Sequence, residues 1–323
     1  MNAAERYRAR PVTRRVLLAL LGAGLLCSGA AHAAAGAAPF LWEVEGAKAR
    51  HYLVGSVHVL PQDQDTLPDA IVEVYTAATD LVFETDIAAL EQPQVQLDLL
   101  ARARSQQPLK QSVGASLYAK LQKRAAELGM PGTMCDPFKA WFCALSLEVF
   151  AYQKAGFSAD AGIDKRLYEA AQADGKRVGW FEAPEAHLAL FTNMSEALGR
   201  EFLVSALEED GSDEPAVLYK AWRDNDVAAV EKLVALLKRE QPQVYERILA
   251  GRNRAWMPKL SQLLSGGRSQ LIVAGAAHWV GPDGLVAQLK ARGYKIKPYL
   301  AFDTQMVTQA PDAPWPQSVS LRR

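Results

Sequence analysis

The sequence predicts an α/β fold with a largely parallel sheet, flanking helices, an N-terminal β-hairpin and a large helical middle. Three observations predict it. Apolar runs of strand length alternate with helically spaced segments at both ends of the chain. Four of those runs stop at a histidine or a glutamate, as strands that feed a ligand crevice do. The middle is too continuously helical to belong to the alternation, so it reads as an insertion covering the sheet.

The elements follow in chain order. "FLWEVEGAKARHYLVGSVH" reads as two strands joined by a turn, and "LPDAIVEVYTAAT" has helical spacing with Pro68 at a favoured early position. "DLVFETD" is a short buried strand ending in Glu84. "SVGASLYAKLQKRAAELG" and "DPFKAWFCALSLEVFAYQKAG" are helices closed by Gly129 and Gly156, the second opened by an Asp136 cap. "AGIDKRLYEAAQADG" is a helix stopped by Gly175, and "KRVGWFE" a strand ending in Glu182. Helical spacing then runs from Pro184 to Leu264, interrupted at 211–213 and 241–242. "SQLIVAGAAH", "DGLVAQLKARG" and "YKIKPYL" close the fold as strand, helix and strand. The division expected is a signal segment over 1–33, one domain over 34–302 with helical insertions at about 91–174 and 184–265, and a tail over 303–323.

The signal reading rests on "MNAAERYRARPVTRR", with five Arg and one acid, then an apolar run and "AHA" ahead of a cleavage point near Ala33. That run is short for a membrane span, so the mature chain is expected in the periplasm or secreted, with no stable span. Arg14-Arg15 leaves the Sec and twin-arginine routes both open, and Leu26 before Cys27 argues against lipoprotein acylation. The chain has 36 Lys plus Arg against 36 Asp plus Glu, so no basic excess points to a nucleic-acid or anionic-membrane partner. Cys135 and Cys143 remain after cleavage, and in an oxidising compartment they can pair.

The chemistry gathers where the strands end. "GSVH" places His58 three residues after Gly55, and "GAAH" places His278 three residues after Gly275. The glycines are expected to permit an abrupt exit from the strand, through φ values that a Cβ resists, and a close approach to a ligand. Neighbouring strands would bring two imidazoles together with Glu84 and Glu182. Two imidazoles and a carboxylate suit Zn, Mn or Co, and the open position would hold an activated water. His187 reads as packed or at the rim, His51 as remote, Trp279 as a residue of the mouth, and Asp283 as a helix cap.

"YLVGSVHVLP" and "LIVAGAAHWVGPDGLVAQLKARGYKI" resemble the paired G-x-x-H segments of the TraB/GumN family, which includes the Tiki proteases and belongs with the erythromycin-esterase/ChaN-like group. "GKRVGWFEAPEAHLALF", "AGIDKRLYEAA" and "ERILAGRNRAWMPKL" resemble its strand-then-Glu, Gly-hydrophobic-Asp and Arg-Asn-x-x-Trp elements. The resemblance implies a divalent-metal-dependent hydrolase or protease, with His58, Glu84 and His278 as metal ligands and central catalytic set. Glu182 and Arg252 come next in the catalytic set. Arg252 or Arg254 would bind a substrate carboxylate or an oxyanion. Asp164 and Asn253 would stand behind the ligands. The expected substrate is a peptide or small molecule. Two alternatives stay open, a non-catalytic iron or haem binder of the ChaN-like type and a metal-independent esterase-type hydrolase in which His58 activates water.

Overall fold

The computed structural model describes residues 37–45, 47–64, 66–207 and 215–300. The expected signal segment with Cys27, the interruption at 211–213 and the tail at 303–323 lie outside the described residues. The strands are β1 (Ala37–Glu45), β2 (His51–Ser56), β3 (Leu60–Pro61), β4 (Asp80–Phe83), β5 (Phe157–Ser158), β6 (Arg177–Trp180), β7 (Gln270–Gly275) and β8 (Lys295–Leu300). Six of them form one sheet in the order β6-β4-β7-β2-β1-β8.

Its central strands are parallel. β7 pairs with β2 on one side and β4 on the other, and β4 pairs in turn with β6. β7, "QLIVAG", is buried at every residue, as expected for a parallel strand covered on both faces. β1 joins β2 as an antiparallel hairpin and accepts β8 on its outer side. Pro298 sits in β8 because an edge strand can spare one ladder donor. The four strands that end in His58, Glu84, Glu182 and His278 are therefore consecutive neighbours of one polarity, and their carboxyl ends share a rim.

The helices Asp69–Ala77, Ile163–Ala173, Gly251–Leu264 and Leu285–Ala291 pack around this frame. The helical middle forms a cover in which Ala140–Lys154 lies against Glu196–Leu207. It is tied to the sheet by Trp222, whose indole donates to the Gly55 carbonyl at 2.7 Å. The first helical block also contains β5, which pairs with β3. Two-residue strands carry no periodicity, so neither was legible beforehand.

Cys135 and Cys143 are disulfide-bonded, with Cα atoms 5.5 Å apart. The helix bearing Cys143 starts at Ala140 rather than at the expected Asp136 cap. Asp136 instead accepts from the Tyr118 hydroxyl at 2.5 Å, and the residue before the helix is Lys139. Asp283 caps no helix either. The cap of Leu285–Ala291 is Gly284, and the Asp283 carboxylate binds Lys238 and Tyr245.

Candidate functional site

The two glycines act through space rather than through backbone angle. Gly275 has φ −52° and ψ 140°, and Gly55 is not among the residues with positive φ. A Cβ on Gly55 would come 2.8 Å from Phe40 Cβ and 3.1 Å from Ala276 Cα. Phe40 reaches inward because β1 is bulged between Ala37 and Trp42, with Phe40 at φ 47°. A Cβ on Gly275 would face the polar cluster, 3.4 Å from Glu84 Oε1, 3.5 Å from His58 Nε2 and 3.7 Å from His278 Cδ2. The expected turn conformation is thus corrected: the space at Gly55 is taken by Phe40 and at Gly275 by Glu84 and the two imidazoles.

His278 is buried, on the single turn Ala276–Trp279 that follows β7. The Asn253 amide nitrogen donates to the carbonyls of His278 and Asp283, which leaves its oxygen to accept from His278 Nδ1 at 2.6 Å. The Nδ1 proton is thereby fixed, and Nε2 carries a lone pair that accepts from Arg252 Nη1 at 3.1 Å. Burial, reinforced by the Arg252 charge, drives the His278 pKa down to about 3, so the ring is neutral.

Arg252 is the hub of the floor. Its Nε and Nη2 grip Glu182 at 3.2 and 2.5 Å, Nη2 also binds Glu84 at 2.7 Å, and Nη1 serves the Ile248 carbonyl at 3.3 Å besides His278. Those bonds engage all five guanidinium N–H groups. In this arrangement no donor is left over for a substrate carboxylate or an oxyanion. Arg254 is exposed and paired with Glu246, away from the floor. Burial raises the Glu84 carboxyl, but Arg252 beside it and the Gly275 N–H at 2.7 Å outweigh that and hold it well below the carboxylate range.

His58 stands opposite, with its ring about half exposed, 47%. Its Nδ1 lies 3.0 Å from Asp164 Oδ2. The Gly-hydrophobic-Asp start explains this placement. A Cβ on Gly162 would sit 2.3 Å from the His58 carbonyl, Ile163 is fully buried and its N–H binds the Val57 carbonyl, and Asp164 then reaches the ring. The Asp164 charge, against the pull of burial, raises the His58 pKa to about 9.

Two participants were undervalued in the sequence. His187 donates from Nδ1 to Glu182 Oε1 at 2.8 Å and lines the cavity with His58 and His278. Its signal was Pro184, which starts a helix directly after Glu182 and turns the first-turn histidine back toward the strand end. Trp256, four residues after Arg252 on one helix face, lies 4.6 Å under the guanidinium and donates to Glu182 Oε2 at 3.1 Å. Trp279, expected at the mouth, is buried, its indole donating to Val54 and Ala274 carbonyls. His51 is buried at the opposite end of β2.

These side chains open onto a cavity of about 160 Å³, walled by residues that include Val57, Leu190, Phe191, Leu218, Ile248 and Leu249. Both imidazoles turn Nε2 inward with Nδ1 tied to an oxygen acceptor, the pattern of metal-ligating histidines. The arrangement as it stands does not form a shell, however. Arg252 occupies the His278 lone pair and pairs with Glu84, and among the described residues no three His, Cys, Asp or Glu side chains lie where they could hold an ion.

A parallel sheet whose carboxyl rim gathers histidines, glutamates and one buried arginine beneath a helical cover defines the class. The chain belongs to the TraB/PrgY/gumN family, whose model matches residues 40–298. It is 24% identical over 255 residues to "Uncharacterized protein YbaP" of Escherichia coli (strain K12), covering 75% of this chain and 88% of that protein. The same identity and coverage relate it to "Uncharacterized protein YbaP" of Shigella flexneri. No solved structure matches. Among the described residues, no helix is long and apolar enough to cross a membrane.

Proposed function

We propose that this protein is an exported hydrolase acting on peptide bonds, in which His58 activates a water over the floor formed by Glu84, Arg252 and His278. The observation that carries this reading is the His58–Asp164 pair at 3.0 Å, half open on the cavity that His278 and Glu84 also line. His58 in its neutral form takes a proton from water through Nε2, and Asp164 stabilises the imidazolium that results. The hydroxide adds to the carbonyl carbon, and the imidazolium returns the proton to the leaving nitrogen as the C–N bond breaks. Glu84, Arg252 and His278 hold the opposing wall in one arrangement. Export to the periplasm or beyond is supported by the basic-apolar-small order of residues 1–33 and by the Cys135–Cys143 disulfide.

A second reading keeps a divalent metal on His58, Glu84 and His278, favoured by the tethered Nδ1 atoms of both rings. It requires Arg252 to withdraw from His278. The purified mature chain, assayed on a mixed peptide library with and without chelator, separates the two. Chelator-resistant cleavage supports water activation by His58, and chelator-sensitive cleavage restored by Zn, Mn or Co supports the second reading. A Soret band without cleavage would overturn both in favour of haem carriage.

A further inference from the structure

We infer that the cavity selects an apolar, uncharged side chain next to the scissile bond and rejects anionic substrates. This rests on the hydrolase reading and adds its substrate class. The first observation is what the floor lacks. Arg252 lies on the cavity floor, and each of its donors is bound within the protein, to Glu182, Glu84, Ile248 and His278. A substrate carboxylate or phosphate seeking the guanidinium would have to take a donor from a buried glutamate and leave that charge unpaired, which selects against anions on the floor.

The second observation is the charge that remains. Glu84 and Glu182 carry two negative charges against the one positive charge of Arg252. Asp164 at least cancels whatever charge His58 bears, so these five side chains together are negative in either state of that ring. An anion entering here meets repulsion in a partly dry enclosure, where charges interact more strongly than in water.

The third observation is the wall. Leu218 and Leu249 are buried, and Leu190, Phe191 and Ile248 are half-buried beside the opening. Phe191 is held by Trp141 and Phe202, with ring centroids 6.4 Å away from each, so the wall is pre-formed. Such a slot gains from covering a leucine- or phenylalanine-sized group and offers little to a polar one of the same shape.

The test uses the full mature protein and the N-acetyl amides of Leu, Asn and Asp, whose side chains are close to isosteric. Leu against Asn reads apolarity, and Asn against Asp reads charge. Binding is followed by calorimetric titration, and cleavage by the matching fluorogenic peptides. The expected result is Leu at least about tenfold tighter than Asn, and Asp at least about tenfold weaker again. Leu190→Asn should narrow the Leu-to-Asn ratio severalfold with an unchanged thermal melt, and Ile248→Asn serves if that variant does not fold. Equal binding of Asn and Asp, no Leu preference, or no binding of any amide overturns the inference. Selective binding without cleavage leaves it standing and sinks the hydrolase reading. Cleavage that depends on His58 but ignores side-chain type does the reverse.

Discussion

Two segments of this chain carry the same four-residue pattern, yet the structure gives their histidines opposite chemistry. His58 is half open to solvent and faces an aspartate, so its proton is held more tightly than in free imidazole. His278 is buried beside a guanidinium and an asparagine, so it is neutral, with its one proton committed to Nδ1. The glycines differ in the same way. Gly55 makes room for the core residue Phe40, and Gly275 makes room for Glu84, His58 and His278. A repeated motif therefore fixes a place on the rim, and the neighbours fix what happens there.

The comparison breaks first at the histidines. His58→Ala should lower kcat/KM by about 10²–10⁴-fold, with a stability loss of at most about 1 kcal/mol from its half-exposed pair with Asp164. His278→Ala should lose activity and also about 1–3 kcal/mol of stability, since Asn253 and Arg252 are left with buried unmade bonds. Equal stability loss in the two variants, measured by urea unfolding, would erase the distinction.

A comparable effect is expected at Glu84. Glu84→Gln leaves Arg252 buried with one carboxylate fewer and should cost about 3 kcal/mol in the same unfolding assay. A loss below that of an exposed pair would mean the floor does not depend on this contact.

The pH profile sharpens the contrast without removing a ring. If neutral His58 is the base, kcat/KM should rise with pH through a midpoint near 9, where half the rings have lost their proton, and level off above it. Asp164→Asn removes the charge that raises this value, so the midpoint should move down toward that of ordinary imidazole, about 6.5. An unmoved midpoint would separate Asp164 from the titration.

The smallest effects distinguish the glycines. Gly55→Ala should destabilise by about 1–3 kcal/mol through overpacking against Phe40, with the residual folded enzyme active. Gly275→Ala makes only ordinary contacts and should fold within about 0.5 kcal/mol of the parent while turning over more slowly. Identical profiles for the two alanines, from melts and initial rates, would mean their surroundings do not matter.

Much of the fold was legible because it follows from periodicity. The apolar runs at 51–57, 80–83, 177–181 and 270–277 became four adjacent parallel strands, and Asp164 and Asn253 each lie against one of the two histidines. Trp279 was misplaced because its apolar ring was as compatible with the core as with a rim. His187 was undervalued because its partner, Glu182, belongs to a different element.

The sequence by itself determined the α/β class, the polarity of the strands and which polar residues end them, since these depend on local spacing and on the fixed geometry of strands and helices. Only the tertiary structure decided that Arg252 stands between two glutamates with every donor engaged, and that one histidine is half open beside an aspartate while the other is buried and neutral. Burial and charge pairing are set by residues far apart in the chain, and no local pattern records them.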